Sequence, residues 1–154
     1  MNKTTVKFKK LDERAQMPHY GTEFAAGADL YACLDAPLTI AKGATEFVHT
    51  GIAMEIPTGL VGLVYARSGL ACKKGLAPAN KVGVVDSDYR GEIMVILLNT
   101  NPAGKESYTI HPGDKIAQGE FPFPYKADFK EISSEEFDKL TTSRGENGFG
   151  SSGK

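Results

Sequence analysis

The chain has 154 residues, of which 41% are hydrophobic, and it carries 18 Lys and Arg against 19 Asp and Glu. This length suits one domain with a sizeable core, while the near-neutral charge lacks the basic excess that non-specific nucleic-acid binding requires. No apolar stretch approaches the roughly 20 residues of a membrane span, and the first residues lack an apolar signal core, so we expect a cytoplasmic protein that binds neither nucleic acid nor membrane.

Short strand patterns follow one another along the chain, separated by Gly, Pro, Asn and Asp. Alternating apolar and Lys residues predict a first strand around Val6 and Phe8, followed by a loop over 12–21. Further strands are predicted over residues 30–32, 38–40, 45–56, 60–65, 82–85, 93–99, 107–110, 116–121 and 129–132. This many short strands predicts an all-β fold, either a sandwich or a jelly-roll-like β-barrel.

Helix is scarce in the pattern. Residues 69–74 suit a turn or two of helix that ends at Gly75, and residues 133–140 have a capping-box spacing from Ser133 to Glu136. The sequence therefore predicts one or two short helices, neither of which can organise a core.

The most informative stretch is VGVVDSDYRGEI at residues 82–93, which places two carboxylates and an arginine between two apolar strand patterns. We expect its polar part at the tip of a hairpin, where side chains can meet a ligand. The alternative is a solvated turn in which Arg90 pairs with Asp88 on the surface. The run alone does not decide between them.

Three further polar clusters interrupt the apolar pattern at glycines: AGADL at 26–30, ARSGL at 66–70 and GDKIAQ at 113–118. Each has an ordinary explanation, with Asp29 as a turn former and Ser68 as a helix N-cap beside a surface Arg67. However, a hydroxyl, a guanidinium and backbone amides at one strand end also suit phosphate. Gln118, inside an apolar strand, is harder to explain by packing.

The last segment, RGENGFGSSG at 144–153, differs from the rest of the chain. Its glycines make the tail costly to order, so we expect it to be mobile without ligand. Phe149 lies where no core can bury it, which indicates a lid that closes over a ligand. The alternative is a disordered terminus with an incidental aromatic residue.

In this order and at this spacing, the five segments resemble the five motifs of the trimeric deoxyuridine triphosphate nucleotidohydrolase (dUTPase) family, from about Gly27 to the C-terminus. The resemblance implies a jelly roll of the dUTPase type over residues 1–143 and a C-terminal lid over 144–154. It implies Mg²⁺-dependent hydrolysis of dUTP to dUMP and pyrophosphate, which limits uracil incorporation into DNA and supplies dUMP for thymidylate synthesis. It also implies a homotrimer, in which the hairpin, the phosphate-binding segments and the tail of one site come from three subunits.

The resemblance also assigns roles to individual residues. Asp86 would activate the water that attacks the α-phosphorus, and Asp29 would hold the magnesium ion indirectly, through water. Tyr89 would lie against the deoxyribose, where a ribose 2′-hydroxyl would collide with its ring. Asn80 would assist recognition of uracil. The remaining substrate-binding positions that it implies are Arg67, Ser68, Gly69, Gly83, Val85, Gln118, Arg144, Phe149, Gly150 and Ser151.

Two other functions stay open at this point. A dCTP deaminase of the same fold would need an acid near the base to activate water at the cytosine ring, and the predicted hairpin matches the hydrolase better. A nucleotide-sensing or protein-binding module would keep the pocket but signal through closure of the tail rather than turnover.

Overall fold

The structure is a computed structural model that describes residues 4–101, 106–124 and 126–142. The strands are β1 (Lys7–Lys10), β2 (His19–Tyr20), β3 (Ala28–Tyr31), β4 (Leu38–Ala41), β5 (Thr45–Glu55), β6 (Gly62–Tyr65), β7 (Leu76–Pro78), β8 (Gly83–Val85), β9 (Glu92–Asn99), β10 (Ser107–Ile110) and β11 (Lys115–Glu120). The helices are α1 (Ser68–Lys74) and α2 (Ser134–Phe137). All these strands and α1 lie in one compact unit, Met1–Pro124, and α2 lies in a second, Tyr125–Lys154.

The strands of the first unit form three antiparallel sheets. One has the order β1-β5-β9-β7, a second has the order β2-β3-β11-β6-β8, and β10 pairs with β4. Side chains from all three sheets meet in one buried cluster, which includes Leu30, Ile40, Val48, Leu97 and Ile116. The fold is therefore the expected all-β, jelly-roll-like barrel with few helices. No helix in the described part of the chain is long and apolar enough to cross a membrane.

One sheet face of the barrel remains apolar on its outer side. Along β9, alternate residues point inward and are buried, and the intervening ones face outward. The outward Met94 and Ile96 lie opposite His49 and Phe47 of β5, and Phe47 is 56% exposed. This outer β5–β9 face is more apolar than a solvated sheet surface requires.

Most predicted strands are confirmed, within one or two residues at each end. β2 and β7 were missed, because strands of two and three residues are too short to show a period. A turn at Pro112 and Gly113 joins β10 to β11, with Gly113 at φ 84° and the Asp114 carboxylate accepting the backbone N–H of His111 at 2.8 Å.

Both helix predictions are confirmed, although the second helix is shorter than expected. Gly75 ends α1 in the left-handed conformation. Ser133 and Glu136 form the reciprocal capping box at the start of α2, each accepting the other's backbone N–H at 3.2 Å. The predicted strand over 129–132 is wrong: the segment has no strand conformation and no described strand pairs with it, and Phe129 is 94% exposed. Strand propensity alone does not hold a strand without a hydrogen-bonded neighbour.

The predicted hairpin at residues 82–93 is also wrong in its pairing. β8 pairs with β6 in the five-stranded sheet, whereas β9 pairs with β5 and β7 in the four-stranded sheet. Residues 86–91, called the β8–β9 loop from here on, therefore cross from one sheet to the other. Local sequence shows two strands and a turn but not which neighbour each strand selects.

Candidate functional site

One group of candidate residues meets where β3, β11 and β6 lie side by side. Gln118 of β11 stands opposite Asp29 of β3 on one side and opposite Tyr65 of β6 on the other. Arg67 follows the end of β6, and its Nε lies 3.1 Å from Asp29 Oδ1. A Cβ at Gly27 would lie only 3.1–3.2 Å from the Gln118 side chain, so this glycine allows close approach. Three predicted site residues are thus brought together.

Lys115 joins this group because β11 contains a bulge. An unbroken strand would place Lys115 and Gln118 on opposite faces, since they are three residues apart. The register shifts by one residue between Lys115 and Ala117, which returns both side chains to the same face. Lys115 Nζ then lies 2.7 Å from Asp29 Oδ2. Sequence reasoning missed Lys115, because a bulge has no signal in the apolar pattern.

The resulting cluster of Asp29, Arg67, Lys115 and Gln118 is named the cationic cluster. Its two cations share one carboxylate that is only 14% exposed. The hydrogen bond to Asp29 raises the pKa of Lys115 above its ordinary value, so the ammonium is charged at neutral pH. Arg67 also donates to the Lys115 backbone carbonyl at 3.0 Å. A groove of about 320 Å³, lined in part by Arg67 and Lys115, opens beside the cluster. Its charge suits an anion such as a phosphate chain.

Ser68 and Gly69 occupy the first turn of α1, next to the cationic cluster. The alternative in which Ser68 caps the helix is wrong: Arg67 holds the N-cap position, without a side-chain capping bond. Ser68 is exposed, and a Cβ at Gly69 would meet nothing within 4 Å. Both residues therefore have room for a ligand.

A second group of candidate residues lies on β8 and its flanks. Gly83 and Val85 pair with Val64 and Gly62 of β6, and β8 is the edge strand of its sheet. An edge strand leaves part of its backbone N–H and C=O groups without a partner in the sheet. A Cβ at Gly83 would lie 3.4 Å from Asn80 Nδ2, so the Asn80 amide lies beside this edge. The edge offers donors and acceptors in fixed positions.

The β8–β9 loop carries Asp86 and Tyr89 and is fixed by its own hydrogen bonds. Asp86 follows β8 directly and is exposed. Its carbonyl accepts the Tyr89 N–H at 3.1 Å, and Arg90 Nη1 donates to the carbonyls of Ser87 and Tyr89 at 2.7 and 2.8 Å. The alternative pairing of Arg90 with Asp88 is absent from the described ion pairs. Arg90 braces the loop instead.

The Tyr89 side chain is held against the second half of this loop. Its hydroxyl donates to the backbone carbonyl of Glu92 at 3.1 Å. A Cβ at Gly91 would come within 2.5 Å of Tyr89 Cζ, so the ring occupies the space that a larger residue at 91 would need. Sequence reasoning missed Gly91 and Glu92, although both stand in the quoted motif.

The β8–β9 loop and the cationic cluster lie at opposite ends of β6 within one chain. Val85 is paired with Gly62 at the start of β6, whereas Gln118 is paired with Tyr65 at its end, and Arg67 lies two residues further on. At about 3.3 Å per residue, Asp86 and Arg67 are separated by roughly 15–20 Å along the strand direction. The cationic cluster and the β8–β9 loop of one chain therefore do not converge on one small reacting centre.

The residues present fit a metal ion that is bound chiefly by the phosphates of a bound nucleotide rather than by protein side chains. The described residues contain no group of three or more His, Cys, Asp or Glu that could hold a metal, and both oxygens of Asp29 already face cations. Mg²⁺ in nucleotide sites binds mainly to phosphates and water, with one or two carboxylates nearby. Asp29 suits that indirect role. The expected contacts of Arg144, Phe149, Gly150 and Ser151 lie outside the described residues.

Comparison with known sequences agrees with these motifs. The model of the dUTPase family matches residues 13–153. The chain is 41% identical over 153 residues to the deoxyuridine 5′-triphosphate nucleotidohydrolase of Syntrophotalea carbinolica, with 99% of each chain covered. It is 45% identical over 152 residues to that of Desulfitobacterium hafniense, with 98% of this chain and 96% of the relative covered.

Solved structures with the same fold include two phage enzymes. A mutant dUTPase of Staphylococcus bacteriophage 80alpha with dUpNHpp has a TM-score of 0.85 at 26% identity, covering 99% of this chain and all of that chain. A mutant dUTPase of Staphylococcus aureus phage phi11, described for its coordination of a structural Mg(II) ion, has a TM-score of 0.75 at 25% identity. That similarity covers 87% of this chain and all of the phage chain.

Proposed function

This chain belongs to the dUTPase family and is a dUTP diphosphatase, and we propose that its cationic cluster and its β8–β9 loop together bind dUTP and hydrolyse it to dUMP and pyrophosphate. The product dUMP serves thymidylate synthesis, and removal of dUTP limits uracil incorporation into DNA. The observation that carries the proposal is the position of Asp86, which is exposed and follows directly after β8, an edge strand with free backbone groups. Asp86 also lies inside the range of residues that matches the dUTPase family. We place this activity in the cytoplasm.

Asp86 is the catalytic base in this proposal. Its carboxylate orients a water molecule and accepts a proton from it, while the water oxygen forms a bond to the α-phosphorus. The bond between the α-phosphorus and the oxygen that bridges to the β-phosphorus breaks, and pyrophosphate leaves with that oxygen. An exposed carboxylate at the end of a short strand can present an oxygen to such a water without first breaking an ion pair, because no described ion pair involves Asp86.

The cationic cluster binds the phosphates. Arg67 and Gln118, with the backbone around Ser68 and Gly69, surround the phosphate chain, and Lys115 adds a second positive charge. A magnesium ion bound by the phosphates would neutralise charge on the leaving pyrophosphate, and Asp29 would hold its water shell. Most of the acceleration then comes from holding the α-phosphorus and the water in line.

The edge of β8 accounts for base and sugar specificity. Backbone groups around Gly83 and Val85, with the Asn80 amide, read the uracil edge, and the rigid strand leaves no room for the methyl group of thymine. The Tyr89 ring lies against the deoxyribose of dUTP and would collide with the 2′-hydroxyl of a ribonucleotide.

The C-terminal segment 144–154 closes the site: Phe149 stacks on uracil, while Arg144, Gly150 and Ser151 contact the γ-phosphate. Closure excludes bulk water from the reacting centre and leaves the attacking water on Asp86.

We propose that the protein is a homotrimer that shares its active sites between subunits. The separation of Asp86 from Arg67 along β6 supports this, because a water on Asp86 must also reach a phosphorus held near Ser68. The apolar outer β5–β9 face supports contact between copies, since such a face is costly to leave in water. In cyclic symmetry the loop of one subunit meets the cationic cluster of the next.

A nucleotide panel with magnesium, scored for pyrophosphate and ammonia, tests the proposed function. We expect pyrophosphate from dUTP, and no comparable turnover of dTTP, dCTP or UTP. Ammonia from dCTP would indicate the deaminase instead, and binding of dUTP without any product would indicate the sensing module. Equal cleavage of all four nucleotides would contradict the proposed specificity for uracil and for deoxyribose.

A further inference from the structure

The β8–β9 loop is anchored at its far end by a glutamate that has no role in the proposed chemistry. Glu92, the first residue of β9, directs both carboxylate oxygens toward β5. Oε1 accepts the backbone N–H of Gly51 at 2.8 Å, and Oε2 lies 2.8 Å from His49 Nδ1. The Glu92 side chain is 22% exposed, so these contacts are largely shielded from water. Hydrogen bonds to an ionised acceptor are among the stronger ones in proteins.

The partner of Glu92 is a bulge in β5. The β5–β9 register passes from His49 opposite Met94 to Ala53 opposite Glu92, so β5 has two more residues than β9 in this interval. Gly51 lies in the bulge at φ 67°, and a Cβ there would be 2.8 Å from Cys33 Sγ, so the position requires glycine. A bulge leaves backbone groups outside the strand pairing. The carboxylate of Glu92 satisfies the N–H that this bulge exposes.

The same residue also holds Tyr89. The backbone carbonyl of Glu92 accepts the Tyr89 hydroxyl at 3.1 Å, and the ring covers Gly91. The Glu92 side chain thus fixes the residue to β5, and its backbone fixes the end of the Tyr89 ring. Because Tyr89 is 44% exposed, packing alone leaves much of the ring free to turn toward solvent.

We infer that Glu92 is a positioning residue for Tyr89, and that through this ring it sets the preference for dUTP over UTP. The contact between the Glu92 carboxylate and the β5 bulge fixes the position of the Glu92 backbone carbonyl, which accepts the hydrogen bond from the Tyr89 hydroxyl. The inference rests on the proposed function, in which the ring excludes the 2′-hydroxyl. It assigns a role in sugar selectivity to Glu92, which need not touch the nucleotide, and to the glycine bulge in β5, which binds the Glu92 carboxylate.

The experiment compares kcat/KM for dUTP and UTP in the wild type, Glu92→Ala, Glu92→Gln, Tyr89→Phe and the double variant Glu92→Ala/Tyr89→Phe. We expect Glu92→Ala and Tyr89→Phe each to lower the dUTP to UTP ratio about tenfold or more, the range in which one excluded group is discriminated. Glu92→Gln should keep most of the ratio, because its amide oxygen still accepts the Gly51 N–H. The double variant should lose no more than either single variant, because both act through one contact.

Val95→Ala is the matched control, since Val95 is a buried residue of the same strand and faces the core. It should lower the melting temperature without changing the ratio. A wild-type ratio in Glu92→Ala, or additive losses in the double variant, would overturn the inference. If Glu92→Ala does not fold, Glu92→Asp replaces it, because the shorter side chain cannot keep both contacts with β5, and an unchanged ratio there has the same meaning.

Failure of the proposed function gives a different result. In that case the wild type itself does not hydrolyse dUTP. The inference is then tested by calorimetric binding of dUpNHpp and of its ribose counterpart UpNHpp, where Glu92→Ala should narrow the difference in affinity. Equal narrowing by Val95→Ala would overturn the inference. Sedimentation of each variant establishes that it has the same assembly as the wild type.

Discussion

Substitution of Gly91 by alanine separates the position of the Tyr89 ring from the stability of the fold. The added Cβ would lie within 2.5 Å of Tyr89 Cζ, far inside any permitted contact, so one of the two must move. The ring can move, because it is 44% exposed and its hydroxyl has one described partner, the Glu92 carbonyl. We therefore expect the barrel to persist and the ring to swing toward solvent.

The expected cost to stability of Gly91→Ala is small. Loss of the Tyr89 hydrogen bond costs about 0.5–1.5 kcal/mol, and replacement of glycine by alanine returns about 0.4–1 kcal/mol by restricting the unfolded chain. The net change should stay within about 1 kcal/mol, or a few degrees in melting temperature for a chain of this size. Selectivity should fall much further, since exclusion of one hydroxyl is worth about 1–3 kcal/mol, or roughly 10–200-fold.

The assay for Gly91→Ala is kcat/KM for dUTP and UTP beside thermal unfolding. Gly21→Ala is the matched control, because a Cβ at that glycine would meet nothing within 4 Å. It should leave both measurements near the wild type. A Gly91→Ala protein with an unchanged dUTP to UTP ratio would refute the proposed role of the ring. An unfolded Gly91→Ala protein would show that the ring cannot leave its place.

Three further predictions follow from the proposed site. Lys115→Met should weaken binding of magnesium dUpNHpp about three- to tenfold in calorimetry, as expected for the loss of one solvent-screened charge that faces the phosphates. Lys115→Arg should restore the affinity, and unchanged affinity in Lys115→Met would exclude Lys115 from the cationic cluster's function. Inactive Asp86→Asn and Arg67→Gln subunits, mixed in equal amounts and refolded together, should recover about a quarter of wild-type activity. If each site takes the two residues from different copies, both are intact in about one site in four. No recovery of activity would show that each site takes both residues from one chain. Deletion of the residues after Arg144 should mainly lower kcat, because closure of the lid aligns the reacting groups, and full turnover without the tail would disprove the lid.

Many features of this fold could be predicted from the sequence because they depend only on residues that are close together in the chain. The alternation along β9 and the capping box at Ser133 require only neighbouring residues, and both are confirmed. The family motifs likewise indicated Asp29, Arg67 and Gln118, which the structure brings together. Residues 144–154, by contrast, lie beyond the part of the chain that the structure describes, so their lid role stays a prediction.

The remaining features depend on partners that are distant in the sequence. The bulge in β11 that turns Lys115 toward Asp29 depends on the register with β3, and the bulge in β5 that Glu92 satisfies depends on the register with β9. The pairing of β8 with β6, rather than with β9, was mispredicted for the same reason. Residues 129–132 have strand-like composition but no described strand beside them. Periodicity identifies strands, but it does not show which strands pair.

The most direct measurement is single-turnover hydrolysis of magnesium dUTP by Asp86→Asn, with the enzyme in excess over the nucleotide, and with binding of dUpNHpp measured on the same enzyme preparation. Asparagine keeps the size and a hydrogen-bonding oxygen but does not accept a proton, so the variant should bind the analogue nearly as well as the wild type. Its pyrophosphate release should fall by about 10²–10⁴-fold, the usual contribution of a general base. Release at the wild-type rate with undiminished binding would show that another group activates the water.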